Sequence, residues 1–261
     1  MQISAQKSLF RRDLGRSLNL SQHPFPVEAF FERSLVLTFA VPKEELAKFL
    51  PECLTLDVYD EKWAFLAIAL VQTKDLRPKG FPKFMGNDFF LIGYRIFVRY
   101  KNNAGKNWRG LYILKSETDQ KKMEYLGNIF TKYKYTTTDI LQQFSEKTLK
   151  ISSEKSKFDL EISNNNENVA LPQQSPFPDW KTARRFAGPL PFTFSYDKKT
   201  QNVLIVEGVR EFWQPKPVEV LSYNFDFLTS FQFETCHLAN AFSTENIPYH
   251  WKKGVLEKWK K

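Results

Sequence analysis

The run Phe89–Tyr100, FFLIGYRIFVRY, is apolar on both faces of an extended chain. Side chains alternate along a strand, so one face reads Phe90, Ile92, Tyr94, Ile96, Val98 and the other Phe89, Leu91, Gly93, Arg95, Phe97. Neither face suits water. A strand of this kind has to be covered on both sides, in the wall of a barrel or between packed layers, not on a half-wet sheet. Ser34–Val41, Leu54–Tyr59, Trp63–Gln72, Trp108–Lys115, Lys157–Ser163 and Asn202–Val209 are also short, rich in β-branched and aromatic residues, and bounded by turn residues. Several of these are apolar on both faces as well, so the predicted class is mainly β.

Helices are few. Pro42 opens KEELAKFL, with acids in the first turn and a lysine later, as the helix dipole favours. Thr118 is the expected N-cap of a segment with Met123, Leu126 and Phe130 on one face, ending near Tyr133. Turns are expected at Asn102–Gly105, as a hairpin between two long strands, and at Arg77–Pro82 and Gly188–Pro191. Residues 164–182 show no clear periodicity and read as a surface loop inside one domain, with a linker as the alternative. The expected organisation is a basic N-terminal arm over residues 1–25 and a single β domain over residues 26–261 with a basic C-terminal end.

With 261 residues, 25 of them Phe, and an aromatic share of 16%, the chain can build a large aromatic core. The net charge of +9 suggests an anionic partner at first. The first twenty residues hold +3 of it and the last ten +4, so residues 21–251 are nearly balanced at +2. The charge therefore belongs to the ends. Polyanion binding through those ends, to nucleic acid or an anionic membrane with Trp251 and Trp259 as stacking groups, stands as the alternative function.

Most sequence-readable chemistry is excluded. Cys53 and Cys236 form no CxxC pair, which fits a reducing, cytoplasmic setting. Cys236 and His237 are adjacent and point different ways on a strand or helix, which argues against an activated thiolate pair. His23, His237 and His250 make no HExxH or HxxxH spacing, so no metal site is expected. The glycines form no dinucleotide, P-loop or nucleophile-elbow motif, and no cofactor is expected. The longest uncharged run is eleven residues, short of the roughly 20 that a membrane-crossing helix needs. The N-terminal residues lack the apolar core of a secretory signal.

Arg95 is the exception in an apolar strand, where an unpaired charge is costly. It either pairs with an acid such as Glu117 or binds an anion inside a barrel cavity. In KYKYTTT, Lys132 and Lys134 alternate with Tyr133 and Tyr135, placing lysines on one side and tyrosines on the other.

The segments VPKEELAKFLPECLTLDVYDEKWAFLAIALVQTKDLRPKGFP, YRIFVRY, LYILKSETDQKKMEYLGNIFTKYKYTT, VEGVREFWQPKPVEV and IPYHWKKGVLEKW, in that order, resemble the YqjF-like family, domain of unknown function 2071. That family is similar to acetoacetate decarboxylase. The resemblance implies an antiparallel β-barrel-like fold with a central cavity and a few short helices. Acetoacetate decarboxylases form a Schiff base through a lysine, and the resemblance puts Tyr135 at that lysine's place, with Lys134 beside it. A phenol forms no imine, so decarboxylation by that route is not implied.

The expected function is binding of a small organic acid or carbonyl compound, with Arg95 on a carboxylate, Tyr135 on a carbonyl or enol oxygen, and Tyr112 and Glu117 as supporting groups. Trp213, beside the prolines of FWQPKP, is expected to wall the cavity or to close the barrel by packing. Were the protein an enzyme, it would be a lyase or hydrolase acting on a small keto acid, with Tyr135, Arg95 and Glu117 as catalytic candidates.

Overall fold

The computed structural model describes residues 20–165, 167–188 and 190–260. The basic stretch of the N-terminal arm, with Lys7, Arg11, Arg12 and Arg16, lies outside the described residues. The strands are β1 (Val27–Pro42), β2 (Thr55–Leu56), β3 (Trp63–Pro78), β4 (Asn87–Lys101), β5 (Asn107–Thr118), β6 (Tyr135–Thr137), β7 (Leu141–Phe144) and β8 (Thr148–Ser153), followed by β9 (Phe158–Ser163), β10 (Phe192–Asp197), β11 (Asn202–Arg210), β12 (Lys216–Pro217), β13 (Val220–Phe225), β14 (His237–Trp251) and β15 (Val255–Lys258). The described residues also form four short α-helices, α1 (Lys43–Ala47), α2 (Lys121–Phe130), α3 (Trp180–Ala187) and α4 (Asp226–Thr229), and two single 3-10 turns.

β14, β1, β3, β4, β5, β10 and β11 are hydrogen-bonded in that order. β11 then pairs back onto β14 through Gly208–Arg210 and Tyr249–Trp251, which closes a barrel-like ring. Its joints are antiparallel except β5 to β10, a parallel contact of three residue pairs. The doubly apolar reading of β4 is explained by this ring. Its even-numbered residues, Phe90 to Tyr100, join the main core, which also takes Leu149, Ile151, Phe158, Leu160, Ile162 and Phe225 from a second sheet of order β13-β9-β8-β7. Its odd-numbered residues face the inside of the ring. Both faces are therefore dry, one under the second sheet and one in the ring.

Two helices close the ring's interior. Met123 of α2 packs with Phe31, Val71, Phe89 and Leu91, together with Tyr133 and Tyr135. Ala183 and Ala187 of α3 pack with Phe65, Ala67 and Phe97, and Phe177 stacks on Phe65 with ring centres 5.3 Å apart. Asp57, fully buried, holds this second plug in place. It accepts from Arg99 Nε and Arg109 Nε at 2.6 Å each, and Arg109 Nη2 donates to the Phe186 carbonyl at 2.8 Å.

Local expectations were met in part. The hairpin at Asn102–Gly105 forms, with Gly105 N–H donating to Asn102 O at 2.9 Å and Gly105 at φ +78°, where a side chain is disfavoured. Thr118 stays in β5 and Gln120 takes the N-cap position of α2. Most of residues 164–182 is irregular, but Asp179 caps α3 by accepting from Thr182 N–H at 2.7 Å, so the helix begins inside that stretch. The C-terminal end is tied down: β15 pairs with β11, and Glu257 accepts from Tyr100 Oη at 2.6 Å. No described helix is long and apolar enough to cross a membrane.

Candidate functional site

All seven ring strands contribute to a cavity of about 110 Å³. β4 places Arg95 in it and β11 places Arg210; Tyr133 and Tyr135 enter after α2, Tyr249 comes from β14, and Trp213 lies in the loop after β11. Arg95 is half-buried and lies against the cavity with its Nε fully covered. Gly93 makes this possible: a Cβ there would lie 2.8 Å from Arg95 Nε, so the bare backbone is what lets the guanidinium lie along the strand. Gly208 plays a matching part for Tyr249, whose hydroxyl occupies the space that a Cβ at 208 would fill.

The cavity is rich in donors. Arg95 Nε and Trp213 Nε1 are buried without a hydrogen-bond partner among the described residues, and both can only donate. The Tyr133 hydroxyl, beside Thr193, is also outside hydrogen-bonding geometry. Among the described residues no carboxylate and no lysine lines the cavity. Burial lowers the pKa of Arg95 and of Arg210, against the opposing pull of the neighbouring tyrosines, and their proximity lowers Arg210 further. Burial in turn pushes the Tyr133, Tyr135 and Tyr249 phenols above their ordinary range. Arg210 also stands over the Trp213 ring, 4.8 Å from its centre.

Tyr135 is held through its backbone. Asn128 Oδ1 accepts from Tyr135 N–H at 2.8 Å, Asn128 Nδ2 donates to Tyr135 O at 2.9 Å, and the Tyr135 ring lies on the bare backbone of Gly127. Asn128→Ala is expected to cost about 1–2 kcal/mol through these two bonds. The loss is measured by denaturant unfolding. Lys134, between the two tyrosines, is exposed and in the left-handed region at φ +56°. Lys132 turns to Asp197 at 3.7 Å.

Of the residues singled out in the sequence, Arg95, Tyr135 and Trp213 line one cavity; Tyr112 and Glu117 do not. Alternation alone turns Tyr112 away, and for Glu117 an irregularity of register between Tyr94 and Arg95 is the cause. Arg95 pairs with Ile113, but Tyr94 pairs with Lys115, so Leu114 is an extra residue in β5. Beyond this bulge every side chain of β5 changes face. Glu117 is carried to the outside of the ring, where it is 2% exposed and is bonded by Lys115 Nζ at 2.7 Å, Tyr94 Oη at 2.8 Å and Ser156 Oγ at 2.6 Å. The Arg95–Glu117 pair therefore does not form. Tyr112, opposite Ile96, packs against the outer core. Arg210 was not singled out, although Gly208-Val209-Arg210 repeats the Gly-x-Arg spacing of Gly93-Tyr94-Arg95.

The terminal aromatics are packed, not presented for stacking. Trp251 lies against Tyr249 with ring centres 4.5 Å apart, and Trp259 against Tyr196 at 5.9 Å. Cys53 and Cys236 are free thiols whose pKa burial pushes up to about 12, so neither is a ready nucleophile.

A second, apolar pocket of about 280 Å³ lies between α2 and the ring, and His23 closes part of it. Burial lowers the His23 pKa to about 4 from 6.5, while a bond with the Phe25 backbone works the other way. The neutral imidazole is thus the folded form. Its stabilising effect is complete above pH 6.5 and is lost progressively as pH falls toward 4, because the unfolded chain takes up the proton first. From neutral pH down to pH 5 the loss is expected to be about 2 kcal/mol. His23→Gln should flatten that part of the stability profile, as read by urea unfolding at each pH.

Comparison with known proteins follows the same lines. The DUF2071 family, described as an uncharacterized conserved protein, matches residues 29–255. Comparison with curated proteins finds no match. Acetoacetate decarboxylase from Legionella pneumophila is similar in structure, with a TM-score of 0.59, 11% identity, and 89% of this chain and 87% of that chain covered. The enduracididine biosynthesis enzyme MppR complexed with pyruvate gives 0.56 and 11%, covering 89% and 90%. An acetoacetate decarboxylase-like enzyme from Sphingomonas wittichii gives 0.55 and 10%, covering 92% and 94%. At these identities the likeness is one of fold, and it is the β-barrel-like fold that the resemblance implied.

Proposed function

The chain belongs to the DUF2071 family, and we propose that its ring cavity binds a small organic acid or carbonyl compound. The observation that carries this is the surplus of donors: Arg95, Arg210 and the Trp213 indole converge where no carboxylate lines the wall among the described residues. A ligand bearing acceptors would satisfy them. Arg95 takes the carboxylate, with Arg210 as a second cation, and the Tyr135 hydroxyl donates to a carbonyl or enol oxygen. Trp213 walls the site. That MppR has been seen with pyruvate is in keeping with an acid of this kind.

Imine chemistry has no support in the lining. Lys132, Lys134 and Lys115 all lie outside the cavity, and a Schiff base needs an amine there. Differential scanning with a panel of keto acids and simple carboxylates is expected to show stabilisation by several of them. Borohydride reduction in the presence of a β-keto acid is expected to leave the protein mass unchanged. Absence of stabilisation by every acid would remove the proposed function, and a reduced adduct on any lysine would overturn the non-covalent mode of binding.

A further inference from the structure

We propose that the ligand is an amphiphilic carboxylic acid, its head group in the arginine cavity and its hydrocarbon tail in the apolar pocket beneath α2. This rests on the function proposed above and names its ligand class. The two spaces share a wall made of Leu91, Tyr133, Tyr135 and Trp251, each of which lines both. That wall is one side chain thick. The Tyr133 hydroxyl lies beside Thr193 but outside good hydrogen-bonding geometry, so turning this ring aside gives up at most that one weak contact of the hydroxyl. Tyr135, by contrast, is anchored by Asn128 and Gly127 and stays with the head group.

The apolar pocket is suited to a tail and to little else. Phe25, Val27, Phe89, Met123, Leu126 and Phe130 are among the apolar side chains that line it. Arg77, its one cation among the described residues, is already engaged by Glu28 at 2.7 Å and by the Asp75 and Phe81 carbonyls at 2.8 Å each. His23 is neutral there, as its burial requires. Among the described residues no unpaired charge lines this pocket, and apart from the shared Tyr133 its unpartnered polar side-chain atom is the neutral Thr73 hydroxyl, whereas the neighbouring cavity holds an arginine nitrogen with no partner. One molecule with an acid at one end and a chain at the other matches both. Burying a methylene favours binding by up to about fourfold.

Titration of the full chain with straight-chain monocarboxylic acids of increasing length, kept below their micelle concentrations, tests this. Affinity is expected to rise roughly two- to fourfold per methylene until the pocket is full, and then to level off. Leu126 lines the pocket but not the arginine cavity; Leu126→Trp should flatten the length series while short acids bind as before. Met123→Phe serves as a second plug if the first variant melts early. A series flat in the wild-type chain, with short acids still bound, overturns the tail pocket and leaves the proposed function standing. Equal binding of the alcohol of the same length, or a length gain that survives Arg95→Met, also overturns it. Failure of acids of every length removes both.

Discussion

Arg95→Met is expected to raise the melting temperature of the unliganded protein and to abolish its stabilisation by acids. The two effects have one cause. Arg95 Nε is buried without a partner among the described residues, and burial already weighs against its charged form. Leaving a buried donor unsatisfied costs about 1–3 kcal/mol, and methionine fills similar space without that cost. Scanning calorimetry with and without acid measures both effects. A fall in stability on substitution would show that the guanidinium is satisfied within the protein, contrary to its assigned role. Gly93→Ala approaches the same site with no change of charge. Its Cβ would meet Arg95 Nε at 2.8 Å, so it is expected to shift the guanidinium and weaken acid binding.

The largest loss of stability is expected from Asp57→Ala. Asp57 is 0% exposed and holds two arginines at 2.6 Å, so its removal leaves both without their anion. Breaking a buried pair costs about 3–5 kcal/mol. Arg99 and Arg109 are 38% and 30% exposed and can turn to water, which places the expected loss near the lower figure. Arg109 also bonds the Phe186 carbonyl, so the effect should reach α3. Denaturant unfolding gives the magnitude, and faster amide exchange within Trp180–Ala187 would show the local loosening. A variant as stable as the wild type, with α3 unchanged, would rule out this anchoring role.

How much of this was legible in the sequence depends on how local each signal is. The seven expected strands all fall within or across observed ones, because alternation and β-branched composition act within a few residues. β14 was missed: Asn240, Ser243, Thr244, Glu245 and Asn246 interrupt its pattern, and pairing with β1 along nearly its whole length compensates for them. β13 is short and its partner β9 is remote in sequence, so only tertiary pairing reveals it; β10 is equally short, and forms a hairpin with β11 beside its three-pair contact with the remote β5. α3 had a local mark in Asp179, followed three residues later by Thr182, but no long apolar stripe to accompany it.

The site divides in the same way. Two dry faces on Phe89–Tyr100 required enclosure, and one cation among them required a partner or a ligand; both followed from the sequence, since alternation and the cost of a bare charge are local rules. Which acid can reach that cation was decided by the fold. Counting along β5 puts Ile113, Lys115 and Glu117 on one face, and the extra residue at Leu114 moves the last two to the other side of the wall. A bulge is set by how two strands far apart in sequence fit together. It sends Glu117 outward to Lys115 and Tyr94, and leaves Arg95 inside facing tyrosines, a tryptophan and a second arginine.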